Sequence, residues 1–363
     1  MGLIQPKKVL ISPMAWGLGH ATRIVPIIHE LSKRGYSITV ATSKELGALI
    51  KENCPFIDII DFYSPQMRLK AGKTGVINLA WFLFTLPIVT ILEQFKLKQL
   101  LKINDFPIII SDNRYGFRTS SNISIIITHQ LRIIPPKPFG FLLKPGEKVI
   151  KYLLGKFDEV WIPDFNSNNS LAGMLSESNG LKNLRYIGYL SRFSHPSTPE
   201  PKPEWDVTVI ASGPEPQKTE FIELLIAILN RTNLKCLIVK GHPLEHNRME
   251  KVGNIFLVGN LEMESMAQAI SGSKCVISRS GYSTIMDLIC LGKSAILVPT
   301  PGQTEQEYLA QRMEVLGWFR VIAQNELDKE LIPALKTVSN LKPPLYTSNE
   351  ILRQTLIEQK IRA

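Results

Sequence analysis

The sequence predicts an α/β protein of two doubly wound, Rossmann-like domains, and three observations carry that expectation. At 363 residues the chain exceeds what one ordinary core accommodates. Strand-like apolar runs alternate with helix-like periodic segments along nearly all of it. The alternation halts once, at "FSHPSTPEPKPEWD" with its four prolines, and restarts at "DVTVIAS". The charge changes at the same place. Residues 1–195 hold 24 Lys and Arg against 13 Asp and Glu, whereas the remainder holds 18 against 19. The expected parts are residues 1–193, a Pro-rich linker at 194–204, a second domain at 205–340 and a tail helix within 341–363.

Composition, 44% apolar and 20% charged, is that of a soluble folded protein without long disorder. Met1 to Pro6 leads straight into the strand "KKVLISP", with no signal-peptide pattern. Cys54, Cys236, Cys275 and Cys290 stand singly, with no CxxC pair. That argues against zinc or disulfide frameworks and fits a reducing cytoplasm. The basic first half suits an anionic substrate, an anionic membrane surface or nucleic acid. No nucleic-acid signature is present, so that partner is set aside.

The first domain opens as βαβ. Lys8 to Pro13 is a strand, "MAWGLGHATR" a glycine loop, Arg23 to Arg34 a helix ended by Gly35, and "YSITVAT" a strand. Gly17 and Gly19 lack the third glycine of a dinucleotide fingerprint, and no acidic residue ends the second strand. His20 falls at the helix N-terminus. That position disfavours imidazolium and leaves a ring able to accept a proton; the alternative is a His that only closes the loop. "FPIIISDNRYGFRT" delivers Asp112, Asn113 and Arg114 at a strand's carboxyl end, and "SIIITHQLR" delivers His129. His20, Asp112 and His129 are thereby expected to converge where open sheets hold ligands. The alternatives are an Asx turn at Asp112-Asn113 and a packed core His129. Val76 to Leu92 carries no charge over 17 residues, with lysines on both sides. It is short of a membrane span. A buried helix and an apolar patch with a basic rim lying on a membrane surface remain open.

In the second domain "SGPEPQK", with Ser212 and Gly213, is a glycine loop before a helix, without the Walker ending. The richest stretch is "SRSGYSTIMDLICLGKSAILVPTPGQTEQEY". It reads as strand end, a turn at Gly281, a helix bearing Asp287, a buried strand, and a polar loop that opens a further helix.

"GLGHATRIVPIIHELSKRGYSITVAT" and "SRSGYSTIMDL…VPTPGQTEQEY" are similar to GT-B glycosyltransferases of family 28, the second block more closely. The resemblance implies two domains facing a cleft and inverting, metal-independent transfer of a hexose-type sugar from a nucleotide sugar, with UDP the expected nucleotide. It implies no cofactor, the nucleotide sugar being a substrate. It further implies an acceptor that is lipid-linked or at the inner face of the plasma membrane. It places Asp287 on the donor ribose, where the family has glutamate, and Gln306 and Glu307 on the sugar hydroxyls. Met263 falls beside the uracil edge. Ser280 and Gly281, with Ser212 and Gly213, fall on the diphosphate, and Arg279 beside them is a further donor-binding candidate. Gly17 and Gly19, together with Asn113 and Arg114 from a segment outside the family pattern, are expected to form the acceptor-side loops. The base is expected to be His20, with Asp112 and His129 as further candidates. Two competing readings remain: a UDP-sugar 2-epimerase using Asp112, Glu307 and His242, and a non-catalytic nucleotide-sugar-binding subunit.

Overall fold

A computed structural model describes residues 7–15, 18–63, 75–135, 139–178, 180–193, 204–242, 245, 248–346 and 349–362, with side chains outside 75–83 and 359–362. The expected linker (194–203 of it), Gly17, Lys70 and Lys73 lie outside these residues. The chain forms two units. One contains His20–Leu190 and also Asn349–Ala363; the other contains Ser191–Ser348.

The first unit runs β1 (Lys8–Pro13), α1 (Leu18–Arg23), α2 (Val25–Ser32), β2 (Ser37–Thr42), α3 (Lys44–Asn53), β3 (Asp58–Asp61) and α4 (Gly75–Leu101). It continues with β4 (Ile108–Asp112), β5 (Ile123–Ile127), α5 (Leu143–Leu154), β6 (Glu159–Ile162) and β7 (Leu184–Tyr186). All seven strands are parallel, in the order β3-β2-β1-β4-β5-β6-β7. Strands such as "VLIS" and "IIIS" are buried throughout because helices cover both faces. The expected single helix from Arg23 is two. Helix α1 begins at Leu18, and the ladder breaks at Ile24 because Pro26 has no N–H to give to the preceding turn.

Helix α4 answers the question left by its uncharged sequence. One face, with Leu86, Val89 and Leu97, is buried. Phe84 (69% exposed), Ile88, Ile91 (65%), Leu92 and Phe95 (60%) recur at helical spacing on the other and face solvent. The helix is therefore apolar on both faces, and only half of it belongs to the core. Among the described residues no helix is long and apolar enough to cross a membrane. The loop after β4 presses on α4 at Gly116, where a Cβ would lie 2.3 Å from the Thr90 carbonyl oxygen, so only glycine fits.

The second unit runs β8 (Trp205–Ile210), α6 (Gln217–Leu229), β9 (Cys236–Val239), β10 (Met249–Val252), β11 (Ile255–Val258) and α7 (Met263–Ser271). Then follow β12 (Ser273–Ser278), α8 (Tyr282–Cys290), β13 (Ala295–Leu297), α9 (Thr304–Val315), β14 (Arg320–Val321) and α10 (Leu327–Leu335). Its sheet order is β10-β11-β9-β8-β12-β13-β14, parallel except for the β10–β11 hairpin. Sequence reading passes over that hairpin, although Gly253 (φ +62°) and Asn254 between two apolar-containing runs are a turn signal. Helix α11 (Glu350–Arg362), expected as a separate tail, belongs to the first unit. Arg353 Nε donates to Glu30 at 3.2 Å, Arg34 donates to the Arg353 carbonyl at 2.8 Å, and Arg185 pairs with Glu358.

Candidate functional site

Each sheet reverses its strand order once, between β1 and β4 in the first unit and between β8 and β12 in the second. The crevice past the carboxyl ends at such a point is where open parallel sheets hold ligands. All but a few of the sequence-predicted site residues leave from these ends, so each is taken with its own unit.

In the first unit, register pairs Pro13 of β1 with Asp112 of β4, so the two strands end side by side. His20 and Arg23, three apart on α1, share one helix face and both reach Asp112. His20 Nδ1 lies 2.9 Å from Asp112 Oδ2. Arg23 donates from Nε to both carboxylate oxygens, at 2.9 and 3.0 Å, and from Nη2 to Oδ1. Its Nη1 lies 3.5 Å from His129 Nδ1, beyond the end of β5. The structure thus brings His20, Asp112 and His129 together and adds Arg23, which sequence reading placed only as the start of a helix. The missed signal was the i, i+3 spacing from His20, visible once the helix is begun at Leu18.

The electrostatics follow from this packing. Asp112 is fully buried, which alone would raise its pKa; the charges of Arg23 and His20 and their hydrogen bonds outweigh burial and hold it low. An ionised carboxylate only accepts, so His20 Nδ1 carries the proton and Nε2 offers its lone pair. Burial first, then the Arg23 charge, lower the His20 pKa against the pull of Asp112. His20 is therefore a neutral, oriented imidazole.

Two acceptor-side expectations change here. Arg114 turns into the core: its Nε donates to Glu93 at 2.9 Å, its Nη1 to Ser12 Oγ at 2.8 Å, and its guanidinium stacks over Phe62 at 4.7 Å. It is a buried ion pair fastening α4 to β4, which removes it from the acceptor loop. Asn113 adopts φ +57°, a conformation asparagine tolerates, and accepts from Thr128 Oγ1 at 3.1 Å. Gly19 is grouped with the second unit, where its carbonyl accepts from Ser283 Oγ at 3.0 Å.

In the second unit the side chains are mostly committed to protein. Arg279, expected among the donor-binding residues, is 1% exposed and stacks 3.8 Å from the Phe221 ring centroid. It donates to the carbonyls of Val298, Pro299 and Gln217 and to Gln324 Oε1. Burial lowers its pKa to about 10, so it stays charged at neutral pH. Arg279 therefore ties β12, β13 and α6 together. Ser280 Oγ is given to the Gln306 carbonyl at 2.8 Å, which removes the expected hydroxyl from a phosphate. Asp287, expected on a ribose, is buried; it accepts from Ser191 Oγ at 2.6 Å and pairs with Arg192 at 3.3 Å. Burial raises its pKa against both partners. Each oxygen already has a protein partner, Ser191 on Oδ1 and Arg192 on Oδ2. Gln306 accepts from Thr300 N and donates to Gln303, while exposed Glu307 accepts from Gly302 N. Both shape the loop before α9.

Gly281 is the N-cap of α8, at φ −73° and ψ 140° and without a side-chain cap. A Cβ there would meet only Thr284 Oγ1 at 3.8 Å. The first-turn N–H groups of a helix have no partner within it. The first turn of α6 differs, because Glu215 accepts from Thr219 N at 3.2 Å and Thr219 Oγ1 at 2.8 Å. A carboxylate already caps the helix behind Ser212 and Gly213 (φ +115°). Met263 is the half-buried first residue of α7, near the end of β11. Among the described residues no cluster of three or more His, Cys, Asp or Glu could hold a metal ion.

Residues 230–360 match the glycosyltransferase family 28 C-terminal domain. An uncharacterised glycosyltransferase of Methanosarcina acetivorans is 24% identical over 354 residues, covering 91% of this chain and 89% of the relative. The UDP-N-acetylglucosamine–N-acetylmuramyl-(pentapeptide) pyrophosphoryl-undecaprenol N-acetylglucosamine transferase of a Sulfurihydrogenibium species is 28% identical over 135 residues. That match spans 36% of this chain and 38% of the relative. Among solved structures, the glycosyltransferase of kitacinnamycin superposes with a TM-score of 0.62 at 14% identity, over 99% of this chain and 95% of that one.

Proposed function

We propose that the chain is a family 28-like GT-B glycosyltransferase that transfers a hexose-type sugar from a UDP-sugar to an acceptor hydroxyl with inversion. His20 is the general base in this reading. The observation that carries it is the 2.9 Å contact between His20 Nδ1 and a buried, ionised Asp112 at the end of β4. It leaves Nε2 of a neutral ring as the acceptor of a proton. In the reaction the acceptor O–H bond breaks with its proton going to Nε2. The oxygen bonds the anomeric carbon, and the bond from that carbon to the diphosphate breaks. Asp112 then stabilises the imidazolium. It is the orienting group rather than a second base, because Arg23 and His20 occupy its oxygens.

The uncapped first turn of α8 supports a site for the leaving diphosphate, since helix N-termini favour anions without a metal or other cofactor. Glycine at position 281 lets a ligand approach those N–H groups closely. The relative that acts on a pyrophosphoryl-undecaprenol acceptor and the exposed apolar face of α4 both support a lipid-linked acceptor at an anionic membrane surface. Lys96 and Lys98 near the end of that helix and Lys102 just past it form a basic end.

Measuring turnover of His20→Ala with a UDP-sugar and calorimetric nucleotide binding in parallel tests the reading. The expected result is lost turnover with retained binding; unchanged turnover removes His20 as the base. Co-sedimentation with anionic vesicles tests the surface. Ile91→Ser with Phe95→Ser should abolish binding, and salt-independent absence of binding by the native chain would sink this part.

A further inference from the structure

A carboxylate buried beside an imidazole normally draws a proton onto the ring, because an isolated buried negative charge is costly and an ion pair relieves it. A base already protonated cannot take a proton from an acceptor. The Asp112–His20 contact alone would therefore tend to disable the group it orients. Arg23 changes that balance.

We propose that Arg23 is a positioning residue whose guanidinium neutralises Asp112, so that the carboxylate aligns His20 without protonating it. This rests on the reading of His20 as the base. The geometry supports it directly. Arg23 is 2% exposed and engages both carboxylate oxygens through Nε, with Nη2 also on Oδ1. Such fork-like contact fixes the carboxylate plane as well as its charge. The charged and titratable groups facing His20 are Arg23 on its own helix, Asp112 from β4 and His129 after β5. With Asp112 negative and Arg23 positive, the buried set is neutral when His20 is neutral. A resting proton on His20 would leave a net buried positive charge. During the reaction that charge appears only as the leaving diphosphate develops its own negative charge. The third Arg23 nitrogen, which can only donate, lies 3.5 Å from His129 Nδ1.

The test reads the ring directly. In the full-length chain carrying 13C-histidine, the His20 signal is assigned by its loss in His20→Gln and titrated by NMR. The pH dependence of kcat/KM is measured alongside. Arg23→Gln should move the His20 midpoint up by roughly one unit or more. The acid limb of kcat/KM should follow the midpoint upward, lowering activity on its acid side and leaving the alkaline plateau unchanged. Arg23→Lys, which keeps the charge and loses the fork, should hold the midpoint near that of the native protein. Asp112→Asn gives the opposite sign: with Arg23 unopposed, the midpoint should fall. An unmoved midpoint in both Arg23→Gln and Asp112→Asn overturns the proposal, and the second variant keeps the test alive if the first does not fold. A midpoint that moves while the acid limb stays fixed supports the role of Arg23 and overturns His20 as the base.

Discussion

The two strand-order reversals share one topology and treat charge in opposite ways. At the end of β1 and β4, the first unit gathers His20, Arg23, Asp112 and His129 into one buried polar cluster. At the end of β8 and β12, the second unit binds its polar side chains to its own backbone. Arg279 holds three carbonyls, Ser280 holds one, and Asp287 is held by Ser191 and Arg192. The N-terminus of α8 at this end carries no side-chain cap. A titratable cluster moves protons, whereas fixed backbone dipoles stabilise charge without titrating. The same fold supplies both because the choice is made by a few residues after each strand.

That contrast can be broken at several points. The largest effect is expected at His20: His20→Ala should lower kcat by about 10²–10⁴-fold, the usual worth of a general base, with the melting temperature little changed. The buried arginines should then separate stability from catalysis. Arg114→Met strands the Glu93 carboxylate and should cost about 3–5 kcal/mol in denaturant unfolding. Arg279→Met loses charge-assisted bonds to carbonyls without orphaning a carboxylate, and should cost about 1.5–3 kcal/mol. Equal costs would mean that the two units do not differ as described. Gly281→Val should weaken nucleotide binding about tenfold, roughly 1.4 kcal/mol, with unchanged thermal stability, because its φ suits any residue and only the approach is blocked. Unchanged affinity would take the first turn of α8 out of donor binding.

The smallest effect is a difference in acid response, read by hydrogen exchange near each site. His20 is held below its ordinary value, so its contribution is full above about pH 6.5 and is lost as pH falls below that. Asp112 is held low, and its contribution is lost at still lower pH. Asp287 is held high. Its ionisation disfavours folding at neutral pH, and that cost is relieved as pH falls through its raised pKa. Mild acid should therefore increase exchange around α1 relative to α8.

Much of the architecture was legible. Strand and helix periods, the Pro-rich break and the glycine loops all anticipate two α/β units. Asp112 and His129 could be placed at strand ends because a run such as "FPIIISD" fixes where the apolar stretch stops. Side-chain commitments could not be read that way. Arg114 and Arg279 each follow a strand directly, where a basic residue suggests an anion site; only packing against Phe62 and Phe221 reveals them as core residues. Asp287 depends on Ser191 and Arg192, 96 and 95 positions away, which no local pattern connects. Arg23 escaped because the break at Pro26 made α1 look like loop.

The return of α11 to the first unit bears on how the molecule is made. Glu30 is buried on α2, and Lys33, Arg34 and Arg353 hold its carboxyl below the ordinary range against the pull of burial. Arg353 comes from a helix that follows the whole second unit in the chain. On the ribosome, the first unit therefore emerges with α2 still uncovered, and it waits through the synthesis of roughly 160 further residues. The second unit is, in effect, an insertion whose completion must precede the last closure of the first, and α2 is where a chaperone would find the nascent chain unfinished.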